Sequence, residues 1–129
     1  MAIYQRLPFK SGTSLSQRKE VSRILLERYP GRIPVIVEPY QDMDPPINRH
    51  KFLPPDSITM GAFVFELRQH MKSLRGGYGL TFYALATNLG AGPSMKLLSM
   101  PSLMSTIYDE YKHEDGFLYL IYITENVFG

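Results

Sequence analysis

Apolar and polar positions change period several times along the chain, and each change marks an element. From Ser14 to Tyr29, Val21, Ile24 and Leu25 recur at helical spacing. Ser14 and Gln17 stand three apart, so hydroxyl and amide can each satisfy an orphan amide of the first turn. Pro30-Gly31 stops the helix. Ile33 to Tyr40 is rich in β-branched residues and predicts a strand, with Pro34 and Pro39 at its ends or at unpaired positions. After a turn over Gln41 to Pro46, Ile47 to Leu53 returns as a second strand, which Pro54-Pro55-Asp56 breaks. Thr59 caps the clearest helix, whose apolar face is Met60, Phe63, Val64, Leu67 and Met71. Gly76, Gly77 and Gly79 mark a loop, and Leu80 to Ala86 a third strand. Asn88 to Lys96, containing Gly90, Gly92 and Pro93, reads as a loop before a short strand near Leu97-Leu98. Ser102 is expected to cap a short helix carrying Leu103, Ile107, Tyr108 and Tyr111. His113 to Gly116 is a turn, Phe117 to Ile123 is apolar enough for the centre of a sheet, and Thr124 to Gly129 is a tail.

Two hairpins around a long helix, closed by an apolar last strand, support an α+β fold. The same order is that of the ubiquitin β-grasp. A length of 129 residues fits one domain. No cysteine is present, which excludes disulfides, thiolate catalysis and cysteine-ligated zinc. No apolar run approaches the roughly 20 residues that cross a bilayer. Met1 to Lys10 lacks a signal-peptide core, and no myristoylation or prenylation motif is present. Membrane attachment is therefore expected to be peripheral or added enzymatically.

The net charge of +2 is too small to argue for nucleic acid, but it is unevenly spread. Up to Arg28, Arg6, Lys10, Arg18, Lys19, Arg23 and Arg28 face only Glu20 and Glu27. Such an arm attracts an acidic partner or an anionic surface, or is simply a solvated helix face. For catalysis the residues offer little. His50, His70 and His113 have no metal-ligand spacing, and Glu114-Asp115 in a turn suits solvation or turn formation. Gly76-Gly77-Tyr78-Gly79 follows a helix, the wrong context for a phosphate loop. The expectation is a chain that is not an enzyme and needs no cofactor or metal.

Five strings, in order, carry a resemblance: FKSGTSLSQRKEV, YPGRIPVIVEPY, HKFLPPDSITMGAFVFELR, IYDEYKHEDGFLYLIY and the terminal ENVFG. Together they resemble the autophagy ubiquitin-like modifiers, the family of microtubule-associated protein light chain three and the GABA-receptor-associated protein. The resemblance implies a ubiquitin-like β-grasp with two additional N-terminal helices, the first within Met1 to Lys10 and made brief by Pro8. It divides one folded unit into a helical extension (1–29), a core (30–124) and a conjugation tail (125–129). It also implies that activating and conjugating enzymes join Gly129 to phosphatidylethanolamine, and that a cysteine protease of the pathway exposes such a glycine where residues follow it. Lacking a β-carbon, glycine enters narrow sites and lets the tail extend. The expected location is cytoplasm when free and autophagosome membrane when lipidated.

In that family, receptors carrying an aromatic-x-x-aliphatic motif add a strand to the second strand's edge. Motif by motif, the resemblance places Leu25, Pro34, Lys51, Leu53 and Phe117 around the aromatic residue. It places Phe52, Pro54, Pro55, Phe63 and Leu67 around the aliphatic one, with Arg49 and Lys51 facing acidic flanks. Without it, Leu25, Phe63, Leu67 and Phe117 read as core, and Arg49 and Lys51 as edge charges. Val21, Glu66, His70 and Pro54 depart from the family pattern, as does the length of the Asn88 to Lys96 loop. The alternatives are an adaptor that is never conjugated, with the basic arm touching acidic tubulin tails, and a modifier of protein amines, against which the N-terminal helices argue.

Overall fold

A computed structural model describes residues 8–40, 46–71, 79–88 and 92–125. Its elements are α1 (Pro8–Gly12), α2 (Leu15–Arg28), β1 (Val35–Pro39), β2 (Lys51–Phe52), α3 (Met60–Arg68), β3 (Gly79–Asn88), β4 (Gly92–Leu97), α4 (Met104–Tyr111) and β5 (Leu118–Glu125). The strands form one sheet in the order β2-β1-β5-β3-β4. β5 lies at its centre, parallel to β1 and antiparallel to β3. Central placement suits its near-continuous apolar run, since both of its faces are covered.

The sheet has two apolar faces, and alternation along the strands decides which residue serves which. Val35, Val37, Leu118, Leu120 and Tyr122 share one cluster with Met60, Phe63 and Leu67 of α3 and Met104 and Ile107 of α4. Ile36, Leu85, Phe117, Tyr119 and Ile121 share the other, against which Phe9 of α1 and Leu25 of α2 pack. The helical stripe read from α3 is correct: Met60, Phe63 and Leu67 are wholly buried and Val64 and Met71 nearly so. Each such side chain contributes about 1.5–3 kcal/mol of transfer free energy.

Local capping chemistry holds at two of the three positions where it was expected. Ser14 Oγ accepts from Gln17 N while Gln17 Oε1 accepts from Ser14 N, each at 3.1 Å. Thr59 Oγ1 accepts from Ala62 N at 3.2 Å. The cap expected at Ser102 is not made. The N-cap of α4 is Leu103, which makes no side-chain cap bond. Instead Met104 N and Ser105 N donate to the carbonyls of Ile58 and Asp56, so backbone replaces the hydroxyl.

Other expectations are corrected. On α2 the side turned inward is Arg18 and Ser22, with Leu25 half-buried; Val21 and Ile24 are more than a third exposed. Helix α1 starts at Pro8, where proline's missing amide hydrogen costs nothing, and runs to Gly12. The second strand is only Lys51–Phe52, because Ile47 bridges to Met71 and Asn48 N donates to His70 O, drawing that segment to the end of α3. Residues 92–97, read as loop and then strand, form β4 in register with β3, Asn88 facing Gly92 and Tyr83 facing Leu97. Proline is tolerated there because β4 is an edge strand, paired on one side. Strand β5 continues through Thr124 and Glu125, where a tail was expected. Residues 126–129 lie outside the described residues.

Asp115 is neither solvated nor only a turn residue. It is 1% exposed and accepts from Arg18 Nε at 2.8 Å, Tyr119 OH at 2.6 Å and Phe117 N at 2.9 Å. Ser22 Oγ donates to its carbonyl at 2.6 Å, and Arg18 Nη1 reaches the carbonyls of Thr13 and Lys10. The chain turns next to this cluster at Gly116, with φ +88°, and a methyl there would meet Ser22 Oγ and stand 2.9 Å from Ser22 Cβ. Gly31 has a similar φ of +81° with open space around it. Gly31→Ala is expected to cost about 1–2 kcal/mol, the left-handed penalty alone. Gly116→Ala is expected to cost at least twice that, because Ser22 must also leave its bond to Asp115. Urea unfolding of both variants measures the difference.

Candidate functional site

Among the described residues strand β2 pairs only with β1, Val35 facing Phe52 and Ile36 facing Lys51, and stands at the end of the strand order. His50 O and Pro54 O accept from Val37 N and Ile33 N, at 2.9 and 3.1 Å. Alternation then turns the backbone groups of Lys51 and Leu53 outward, where an added strand would find them. The same alternation sends Lys51 to the α1–α2 side of the sheet and Phe52 to the α3 side.

Two of the residues expected around a motif's aromatic side chain, Lys51 and Phe117, meet through one that sequence reading missed. Phe9 lies edge-on to Phe117 with ring centroids 4.8 Å apart, and Lys51 Nζ sits 4.9 Å from the centroid of the Phe9 ring. Leu25 is half-buried against the same apolar cluster. Pro34 is buried and its carbonyl accepts from Leu118 N at 3.0 Å; Leu53 is half-buried. Phe117 is 1% exposed, a floor rather than a wall. Beside them a cavity of about 300 Å³ is lined by Phe9, Thr13, Ile36, Glu38, His50 and Lys51. Of these only Lys51 was expected at a binding site from sequence. Strand alternation would have revealed Ile36, on the face opposite Val35 and Val37. Phe9, Glu38 and His50 meet only through the fold.

Glu38 and His50 make the cavity's polar wall. Glu38 Oε2 lies 3.2 Å from His50 Nδ1, which also meets Val37 O at 3.1 Å. Burial raises the Glu38 carboxyl above its ordinary range, partly offset by attraction to His50.

Residues expected around the aliphatic side chain lie on the other face and are largely core. Phe63 and Leu67 are wholly buried, Phe52 is 2% exposed, Pro54 is buried and Pro55 half-buried. Phe52 meets Phe63 edge-on at 5.7 Å and His70 at 5.3 Å, while the Arg49 guanidinium lies 4.6 Å from its centroid. One departure noted in the sequence borders this side, His70, which covers Phe52; Glu66 is half-buried on α3. Gly129 lies outside the described residues.

The wall formed by Phe9 depends on how α1 is held. Lys10 Nζ donates to His113 Nδ1 at 2.7 Å, and His113 Nε2 lies 2.7 Å from Leu85 O. The arrangement requires a neutral imidazole, protonated on Nε2 and accepting on Nδ1. Lys10, Arg18, Asp115 and the Tyr119 ring face it. Burial lowers its pKa from 6.5; the bond to Leu85 O opposes this, Lys10 and Arg18 add to it, and Asp115 opposes it. Of the basic N-terminal residues, Lys10 and Arg18 are thus held inward, and Arg23 is paired with Glu20 and Glu27. That arrangement weakens the reading of the arm as an open basic surface. Among the described residues no group of three or more histidine and acidic side chains is placed to hold a metal ion.

A family model described as "Autophagy protein Atg8 ubiquitin like" matches residues 16–129. The chain is similar to Autophagy-related protein 8 of Dictyostelium discoideum, 38% identical over 94% of this chain and 93% of that one. It is also similar to human microtubule-associated protein 1 light chain 3 gamma, 38% identical over 95% of this chain and 78% of that one. Among solved structures, Trypanosoma brucei ATG8 superposes with a TM-score of 0.78 at 33% identity, covering 94% of this chain and 97% of that one.

A pH dependence follows from His113. Its pKa in the folded state is below the unfolded value of 6.5, so the neutral form's contribution is complete above 6.5. That contribution is lost as pH falls from there through the lower folded value. The thermal midpoint is expected to fall as pH is lowered below about 6.5. His113→Gln keeps a donor for Leu85 O and an acceptor for Lys10 without titrating, and is expected to flatten that fall.

Proposed function

The chain belongs to the Atg8 family of ubiquitin-like autophagy proteins, and we propose that it acts as a modifier joined through Gly129 to phosphatidylethanolamine. The observation that carries this reading is the family match, which runs through residue 129 and so includes Phe128-Gly129. The reaction asks the fold to present a carboxylate at the end of an extendable segment. No helix among the described residues is long and apolar enough to cross a membrane. A covalent lipid supplies the anchor in this reading.

Once tethered, the protein places the β2 edge before receptors. A peptide strand takes its ladder from the outward groups of Lys51 and Leu53. Its aromatic side chain goes to the face of Leu25, Pro34, Lys51, Leu53 and Phe117. Its aliphatic side chain goes to the face of Phe52, Pro54, Pro55, Phe63 and Leu67. Because Phe63 and Leu67 are wholly buried, this second contact needs Phe52 and its covers to shift. Membrane tethering raises the effective concentration of receptors carrying the motif without any new contact. Free protein belongs in the cytoplasm and the conjugate on autophagosomal membrane, with activating and conjugating enzymes and the pathway's cysteine protease as partners.

The test is conjugation with purified activating and conjugating enzymes, ATP and phosphatidylethanolamine liposomes. The expected result is a lipid-bound form that is absent when Gly129 is deleted. Failure with enzymes active on another Atg8 protein favours an unconjugated adaptor. For docking, Lys51→Ala and Leu53→Ala are each expected to weaken an aromatic-x-x-aliphatic peptide by roughly three- to thirtyfold, with thermal midpoints near that of the parent. Unchanged affinity in both variants places docking elsewhere.

A further inference from the structure

The free edge of β2 is not bare. Arg49 Nε donates to Lys51 O at 2.8 Å, and Arg32 Nη1 donates to Leu53 O at 2.7 Å. These are the two carbonyls that alternation turns away from β1, and both arginines are exposed. The Arg49 guanidinium also lies 4.6 Å from the centroid of Phe52 and so covers the α3 side of the edge. Two charged donors therefore hold the acceptors that an added strand's amides need. The arginines come from different segments. Arg32 bridges to Pro55 just before β1, and Arg49 leads into β2.

We propose that Arg32 and Arg49 form an exchange lock on this edge, so that a strand docks readily only when it brings carboxylates for the displaced guanidinium groups. The inference rests on peptide docking at β2. A neutral strand trades two charge-assisted bonds for two amide bonds and leaves both cations in solvent beside it. An acidic strand gives each displaced guanidinium a carboxylate, a bidentate partner better matched than the carbonyl it leaves. The partner selected is a motif with aspartate or glutamate close to its aromatic residue and beyond its aliphatic one. Ordinary attraction between arginine and acid gives a different result. Under attraction alone, the arginines help acidic peptides and leave neutral ones unaffected. Under the lock they also hinder neutral peptides.

The experiment compares two peptides with the same aromatic-x-x-aliphatic core, one flanked by glutamates and one by glutamines. Their affinities are measured by calorimetry against the parent chain, Arg32→Ala, Arg49→Ala and the double variant. The lock predicts that the double variant binds the glutamine-flanked peptide more tightly than the parent does, on the order of tenfold for two exposed bonds. The preference for the glutamate-flanked peptide should shrink at the same time. Unchanged or weaker binding of the glutamine-flanked peptide by the double variant overturns the lock and leaves simple attraction, with docking at the edge intact. If no form binds either peptide, docking at β2 itself is overturned, and the lock with it.

Discussion

The buried pair between Arg18 and Asp115 joins segments 97 positions apart, and much of the molecule is arranged around it. Asp115 occupies the turn before the central strand, and Arg18 lies on the inner side of α2. With Tyr119 OH and Phe117 N, the carboxylate has three donors, so a charge removed from water is satisfied on both oxygens. A buried pair of this kind adds little net stability over apolar residues, but losing one partner typically costs about 3–5 kcal/mol. Its effect is positional. It orients α2 with Arg18 and Ser22 inward, and through the carbonyls of Lys10 and Thr13 it fixes the start of the chain's described part. That in turn sets Phe9 against Phe117.

From this anchoring follows the division of labour between the two faces of the sheet. The α3–α4 face is apolar at its centre and carries most of the core. On the α1–α2 face, apolar residues meet a polar layer of Lys10, Arg18, His113 and Asp115. Strand β2 stands where both faces reach an edge, so neighbouring residues Lys51 and Phe52 serve different chemistry. An edge strand is an open template for pairing with other chains. Here it is only two residues long, flanked by exposed charges and held at its carbonyls by arginine. The same features that protect the edge determine what it takes to use it.

Elements governed by neighbouring residues were legible in the sequence. The capping box at Ser14, the cap at Thr59, the α3 stripe and the apolar last strand all depend on spacings of a few residues, and all are present. The two turns at Gly31 and Gly116 were marked by the glycines that a positive φ favours. Of the candidate site, the edge strand and the residues on it could be named by family resemblance, since Lys51, Phe52, Leu53, Pro54 and Pro55 are contiguous.

The tertiary structure decided what spacing does not encode. Val21 and Ile24 look inward by hydrophobicity, yet Arg18 and Ser22 occupy that side because their partners, some 95 residues away, are buried there. Gly92 and Pro93 look like loop residues, yet an edge position lets them pair. Phe9, Glu38 and His50 meet at one cavity because strand register and the packing of α1 place them together. Sequence determined local conformation through backbone hydrogen bonding and side-chain period, which act over one or two turns. Which polar group is buried, which edge is covered and which pocket has walls depend on the pairing of distant segments, and only the assembled fold specifies that.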